Sequence, residues 1–255
     1  MRFSPPSSPL QLLFPAFAAA VLTISPLATH AQDSILQTNG TVRQGQIVRV
    51  ARGSAMIKIG AGEVGVPFAQ ISQIQMATPA PATRGLQLQE AGKVSDAIAA
   101  LKPVVEQFGG LPTEWAQQAT AALGDLYLSQ NNMKEAAAAY SKFKALYPGA
   151  GLSLQADVGM ARIAAADGKN AQARATLEPV VATALTKADV SKAESAAFGQ
   201  AYYTLGSLDE KDGKFAEALQ NYLRTVTIFY ADRATAARAQ ERADALRKAH
   251  PVAVP

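Results

Sequence analysis

Chemistry needs side chains that hold a proton, a metal or a nucleophile's charge, and this sequence offers few. Two histidines, His30 and His250, occur in 255 residues, and there is no cysteine. Lacking cysteine, the chain has no disulfides, thiolate nucleophiles or sulfur-ligated metals, and no lipidated cysteine after a signal. No His-Glu-x-x-His pair or other metal-ligand spacing occurs. None of the pairs Gly92-Lys93, Gly168-Lys169 and Gly213-Lys214 is followed by Ser or Thr, so there is no phosphate loop, and no Gly-x-Ser-x-Gly elbow exists. One triplet, Gly60-x-Gly62-x-x-Gly65, has dinucleotide-fingerprint spacing. That fingerprint works when its last glycine opens a helix whose amides hold pyrophosphate. Here Val66-Pro67-Phe68 comes next, a strand or an edge, and the glycines read as hairpin relief. The expectation is a protein with no catalytic site, metal or cofactor.

The elements around these residues point to a scaffold. Hydrophobic residues make up 49% of the chain and charged ones 17%, with aromatics at 7%. Much of the apolar material is alanine, which suits close helix–helix packing. A formal net charge of +4 without any Lys/Arg cluster argues against a nucleic-acid partner. Residues 1–31 read as a secretory signal peptide: Arg2, an apolar run from Leu10 to Ile24 broken by Pro15, and small residues before Gln32. The mature chain is then expected to be exported, periplasmic or secreted from a bacterium, with charge 23 − 20 = +3 once Arg2 is lost. No later stretch reaches the ~20 apolar residues of a spanning helix.

Residues 32–77 carry short β-branched runs (Thr41–Val50, Ala55–Ile59, Val64–Phe68, Ile71–Met76) separated by Asn39-Gly40, Arg52-Gly53-Ser54 and Gly60-Ala61-Gly62. Those are hairpin-turn signals, and four or five short antiparallel strands are expected to close into a small barrel. About 45 residues are marginal alone, so this module is expected to lean on the helical part of the chain. The pattern resembles the small SH3- or Sm-like barrels that precede repeat domains in some exported bacterial proteins. Residues 78–83, with Pro79 and Pro81, are expected to form a stiff extended linker.

From residue 84 the chain is periodic. A turn followed by a helix start recurs at Gly92, Asn131, Gly168 and Gly213, in steps of 39, 37 and 45. Periods of this size mark helical repeats. Seven residues before each turn stands a small residue: Gly85, Gly124, Ala161 and Gly206. Five after it stands alanine: Ala97, Ala136, Ala173 and Ala218. Four further on comes a large one: Leu101, Tyr140, Leu177 and Tyr222. Leu101-Lys102-Pro103-Val104-Val105 returns 76 residues later as Leu177-Glu178-Pro179-Val180-Val181. A generic bundle of alanine-rich helices is the competing reading.

In these positions the sequence resembles the tetratricopeptide repeat family, the second repeat best, with Leu123-Gly124-Asp125-Leu126-Tyr127 in its first helix and Pro148 closing its second. Ala164 stands where the family prefers an aromatic. The resemblance implies a mainly α architecture: an α-solenoid of about four hairpins over residues 84–230, behind the small barrel. A charged helix within 231–255 would cap the exposed apolar end. It also implies a concave face formed by the first helix of each hairpin. Carried over, the inward positions are Gln118, Ala121 and Asp125, then Gln155, Val158 and Arg162, then Gln200, Tyr203 and Ser207. The recurring glutamine suits hydrogen bonding to an extended peptide backbone, and equally suits a plain polar helix surface. The expected function is a non-enzymatic scaffold in the cell envelope that binds another protein or peptide. It resembles repeat proteins that work beside the Tol–Pal system. Self-association into a structural oligomer is the alternative.

Overall fold

The computed structural model describes residues 32–251. The expected signal peptide, 1–31, lies outside the described residues, as do residues 252–255.

Five strands come first: β1 (Asp33–Gln37), β2 (Val42–Ala51), β3 (Ser54–Ile59), β4 (Gly62–Pro67) and β5 (Ile71–Gln75), with a 3-10 turn at Phe68–Gln70 between the last two. Each sits where turn residues break the chain. Arg52 and Gly53 adopt φ of 50° and 71°, the paired left-handed values of a tight two-residue hairpin turn between β2 and β3. The sheet is antiparallel in the order β4-β3-β2-β1-β5.

The expected SH3- or Sm-like barrel does not form: the sheet is open. Among the described residues β4 and β5 are edges and do not pair with each other. The reason lies in what covers the apolar face. A sheet that closes buries its inner face against itself, whereas here Ile35, Ile47, Ile57 and Val66 share one core with Ala82, Val104, Phe108, Leu111 and Trp115. The helices do the burying that closure would have done. The register of β2 slips between Ile47 and Arg49, which leaves the Val48 carbonyl outside the ladder. Gln107 satisfies it, donating from Nε2 to Val48 O at 2.7 Å.

Among the described residues nine α-helices come after the sheet: α1 (Ala80–Glu90), α2 (Val94–Phe108), α3 (Glu114–Ser129), α4 (Met133–Leu146), α5 (Ser153–Ala166), α6 (Asn170–Ala184), α7 (Lys192–Lys211), α8 (Phe215–Thr227) and α9 (Arg233–Ala249). The extended linker expected over 78–83 is shorter than that. Pro79 is extended and caps α1, but Pro81 lies inside its first turn. A helix's opening N–H groups have no intrahelical acceptor, so proline costs nothing there.

Four turns join these helices in pairs, and all four have one geometry. Gly92, Asn131, Gly168 and Gly213 take φ of 71°, 62°, 77° and 74°. The next amide in each case reaches back to close the preceding helix: Lys93 N to Leu88 O, Asn132 N to Tyr127 O, Lys169 N to Ala164 O and Lys214 N to Asp209 O, all at 2.8–2.9 Å. This is the Schellman closure, which needs a left-handed residue just past the helix. Within each pair the small residue meets the large one sixteen positions later. Added Cβ atoms on Gly85, Gly124 and Gly206 would strike Leu101, Tyr140 and Tyr222 respectively, and Ala161 packs in one cluster with Leu177. Ala97, Ala136, Ala173 and Ala218 are each fully buried. Pro148 is exposed just beyond α4.

Each pair packs on the next, and the odd-numbered helices also touch in series, α1 to α3, α3 to α5, α5 to α7 and α7 to α9. They make one layer, with the even-numbered helices behind. The closing helix α9 buries Thr235, Ala239, Ala243 and Leu246. Its end is held rather than loose, because His250 stacks on Phe215 with ring centroids 3.6 Å apart. No helix among the described residues is long and apolar enough to cross a membrane.

Candidate functional site

The inward positions named from the sequence fall on α3, α5 and α7, three members of the odd-numbered layer. Two of them, Ala121 and Val158, are buried and form core rather than surface. Gln118 donates to Glu114 Oε1 on its own helix at 2.9 Å. Asp125, Gln155, Arg162, Gln200, Tyr203 and Ser207 are half-buried.

Four of these six are drawn into two clusters. In the first, Asp125 accepts from the Tyr140 hydroxyl on α4 through one oxygen and from Gln155 Nε2 on α5 through the other. The Tyr140 ring is clamped between Gly124 and Gly159, since a Cβ on either would overlap it. In the second, Arg162 Nη1 donates to Gln200 Oε1 at 2.9 Å, and Gln200 Nε2 passes the bond on to Asp232 Oδ2 at 2.9 Å. Asp232 caps α9, accepting from the amides of Ala234 and Thr235 and from the Thr235 hydroxyl. One chain of side chains therefore fastens α5 to α7 and α7 to the start of α9. Tyr203 stands apart from it, half-buried against Tyr222, with the Arg238 guanidinium 5.4 Å above its ring.

The charges in this row are unevenly tuned. Burial raises the Asp125 carboxyl above the ordinary aspartate value, although Tyr140, Gln155 and the Arg162 charge all pull it down. Burial likewise pushes the Tyr140 hydroxyl well above its usual value, aided by the neighbouring carboxylate. For Asp232 burial works in the same direction but loses to the bonds from Gln200 and Thr235 and to Arg162, and its pKa is lowered. A raised carboxyl often marks a catalytic acid. Here both oxygens are already engaged and Tyr140 is fully buried, so the pair is a clasp joining α3, α4 and α5.

Reading the sequence missed Gly159, Asp232, Thr235 and Arg238. Gly159 lies two positions before Ala161, off the repeat pattern, and only the Tyr140 ring explains it. Asp232-Arg233-Ala234-Thr235 at the start of the last helix did carry an N-cap signal.

The surface left for another molecule is the exposed part of this row. Gln155, Arg162 and Tyr203 are its half-buried members. Gly60-Ala61, the start of the glycine triplet, turns β3 into β4, and no helix opens at Gly65. No family model matches this chain, and no curated protein matches it.

Proposed function

We propose that this chain is a non-enzymatic scaffold of the bacterial cell envelope that binds a protein or peptide across the α3–α5–α7 face. One observation carries the reading: polar side chains on successive inner helices line up into hydrogen-bonded clusters that bridge one helix to the next. Such a row holds neighbouring helices at fixed spacing and leaves one aromatic and one cation on a preformed surface, which lowers the ordering cost of binding. The resemblance to tetratricopeptide repeats supports it, through four small–large pairs at one spacing and four turns of one geometry. The exported setting rests on the pattern of residues 1–31.

The test is capture of a specific partner from envelope extract by the mature chain. Tyr203→Ala, which leaves the Arg162–Gln200–Asp232 chain in place, should weaken capture of that partner while circular dichroism stays unchanged, and undiminished capture by the folded variant sinks the assignment. A second reading, self-assembly, is favoured by the two open edges β4 and β5, because unpaired strand edges template further pairing. Light scattering separates the two: a mass independent of concentration at one chain's value counts against self-assembly.

A further inference from the structure

A second surface lies on the opposite side of α3. At 100° per residue, Thr120, Leu123 and Tyr127 point away from Gln118, Ala121 and Asp125. They floor a furrow of about 220 Å³ between α2 and α4. Its α4 wall is low because Ala138 and Ala139 stand there, and Val105 of α2 completes an apolar lining. Its rim is charged in a pattern: Lys102 then Glu106 along α2, and Glu135 then Lys142 along α4. Consecutive hairpins reverse the chain twice between α2 and α4, so the two helices run in one sense. The signs therefore alternate around the furrow, plus and minus on one bank, minus and plus on the other. All four side chains are exposed, and none has an ion-pair partner among the described residues.

We infer that this furrow docks an amphipathic helix of a partner protein, its apolar stripe on Leu123 and Tyr127 and its flanking charges of both signs matched to the four rim residues. Helix-in-groove recognition uses such an arrangement of apolar anchors with polar flanks. Charge complementarity selects this occupant. A uniformly basic or acidic ligand meets two like charges, and an uncharged extended strand leaves all four unused. A helix with Glu then Lys facing α2 and Lys then Glu facing α4 meets four opposite charges. It does so in either chain direction, because the rim pattern is unchanged by a half-turn about the furrow's normal. A helix with every charge inverted meets four like charges in both directions.

The test uses two synthetic peptides of about four helical turns with the same leucine stripe, one bearing the complementary charges and one with every charge inverted. Anisotropy titrations use the full chain with residues 1–31 removed as in export. The complementary peptide should bind about tenfold more tightly than its inverted twin, the size four exposed pairs give together, with the difference shrinking in high salt. Exchanging the rim signs (Lys102→Glu, Glu106→Lys, Glu135→Lys, Lys142→Glu) should reverse the preference, and Ala139→Trp, filling the furrow, should abolish binding of both peptides. Equal affinity for both peptides, or binding untouched by Ala139→Trp in a folded variant, overturns the proposal. So does a dimer that Ala139→Trp dissolves, which assigns the furrow to a second copy. The four rim changes lie on exposed positions, so their result stands even where Ala139→Trp impairs folding.

Discussion

The second and fourth hairpins use the same pair of residue types, glycine against tyrosine sixteen positions on, and put it to different use. In the second, Tyr140 is held between two glycines, Gly124 and Gly159, and its hydroxyl goes to Asp125, whose other oxygen is taken by Gln155. In the fourth, Tyr222 meets Gly206 from one side, where an added Cβ would lie 2.9 Å from the ring. Its hydroxyl donates to Glu210 at 3.0 Å, and Glu210 is shared with Arg242, whose side chain is 47% exposed. The spacing sets the packing within a hairpin, and in both the acceptor is shared with the next helix, through the half-buried Gln155 in a drier second seam and through the largely exposed Arg242 in a wetter fourth one. The dry seam sits at the middle of the layer and the wet one near its end. The second hairpin has a whole hairpin on each side, whereas the fourth is followed by the single helix α9.

The largest expected effect comes from forcing a methyl group into each seam. Gly159→Ala and Gly124→Ala should each cost about 2–4 kcal/mol, and Gly206→Ala about 1 kcal/mol, in urea unfolding followed by circular dichroism. Tyr140→Leu added to Gly124→Ala recreates the Ala161/Leu177 pair of the third hairpin and should recover half or more of the loss. Equal costs at Gly159 and Gly206, with no rescue, would erase the distinction.

Next in size is removal of the acceptor. Asp125→Ala leaves the buried Tyr140 hydroxyl and the half-buried Gln155 amide without their acceptor and should cost about 2–3 kcal/mol. Glu210→Ala removes a partly solvated acceptor and should cost less than about 1 kcal/mol. Matching losses in the same unfolding assay would contradict a dry second seam.

The smallest effect is in pH dependence, and its sign is diagnostic. Burial holds the Asp125 pKa above 3.8 in the folded chain, so folding favours its protonated form. Its contribution to stability therefore rises as pH falls through its folded pKa toward 3.8. Glu194 behaves the other way: bonds from Lys187 and then from Ser191 hold it at about 2, so its contribution is present above 4.5 and is lost as pH falls toward 2. As pH falls from neutral toward 3.8, stability measured against Asp125→Asn should move in favour of the native chain. A shift in the opposite direction refutes the buried, raised carboxyl.

These contrasts also mark where local sequence carries information and where it does not. The four turns were legible because a left-handed residue past a helix end is a local requirement that glycine or asparagine meets. The small–large pairs were legible because both partners belong to one hairpin at constant spacing. Gly159 was not, since its reason is a ring on the preceding helix, and the Arg162–Gln200–Asp232 chain joins three separate segments that no periodic pattern links. Of the polar positions named for binding, Gln155 and Gln200 prove to hold the helices together, and Gln118 turns to its own helix. Strand existence was similarly local, while closure was not. Whether β4 meets β5 depends on what buries the sheet's apolar face, and here Phe108, Leu111 and Trp115 do so. Pro81 was misread for a related reason: proline stops a helix in its interior and opens one in its first turn.

The claim that the α3–α5–α7 face is where a partner sits is tested most directly by photo-crosslinking in cells that express the chain. A photoreactive residue is placed singly at Gln118, Gln155 or Tyr203, and for comparison at Glu178 of α6 or Gln220 of α8, both exposed behind that face. One crosslinked species shared by the three inner positions and missing from both outer ones is the result expected. Crosslinks from Glu178 and Gln220 with none from the inner positions would contradict it.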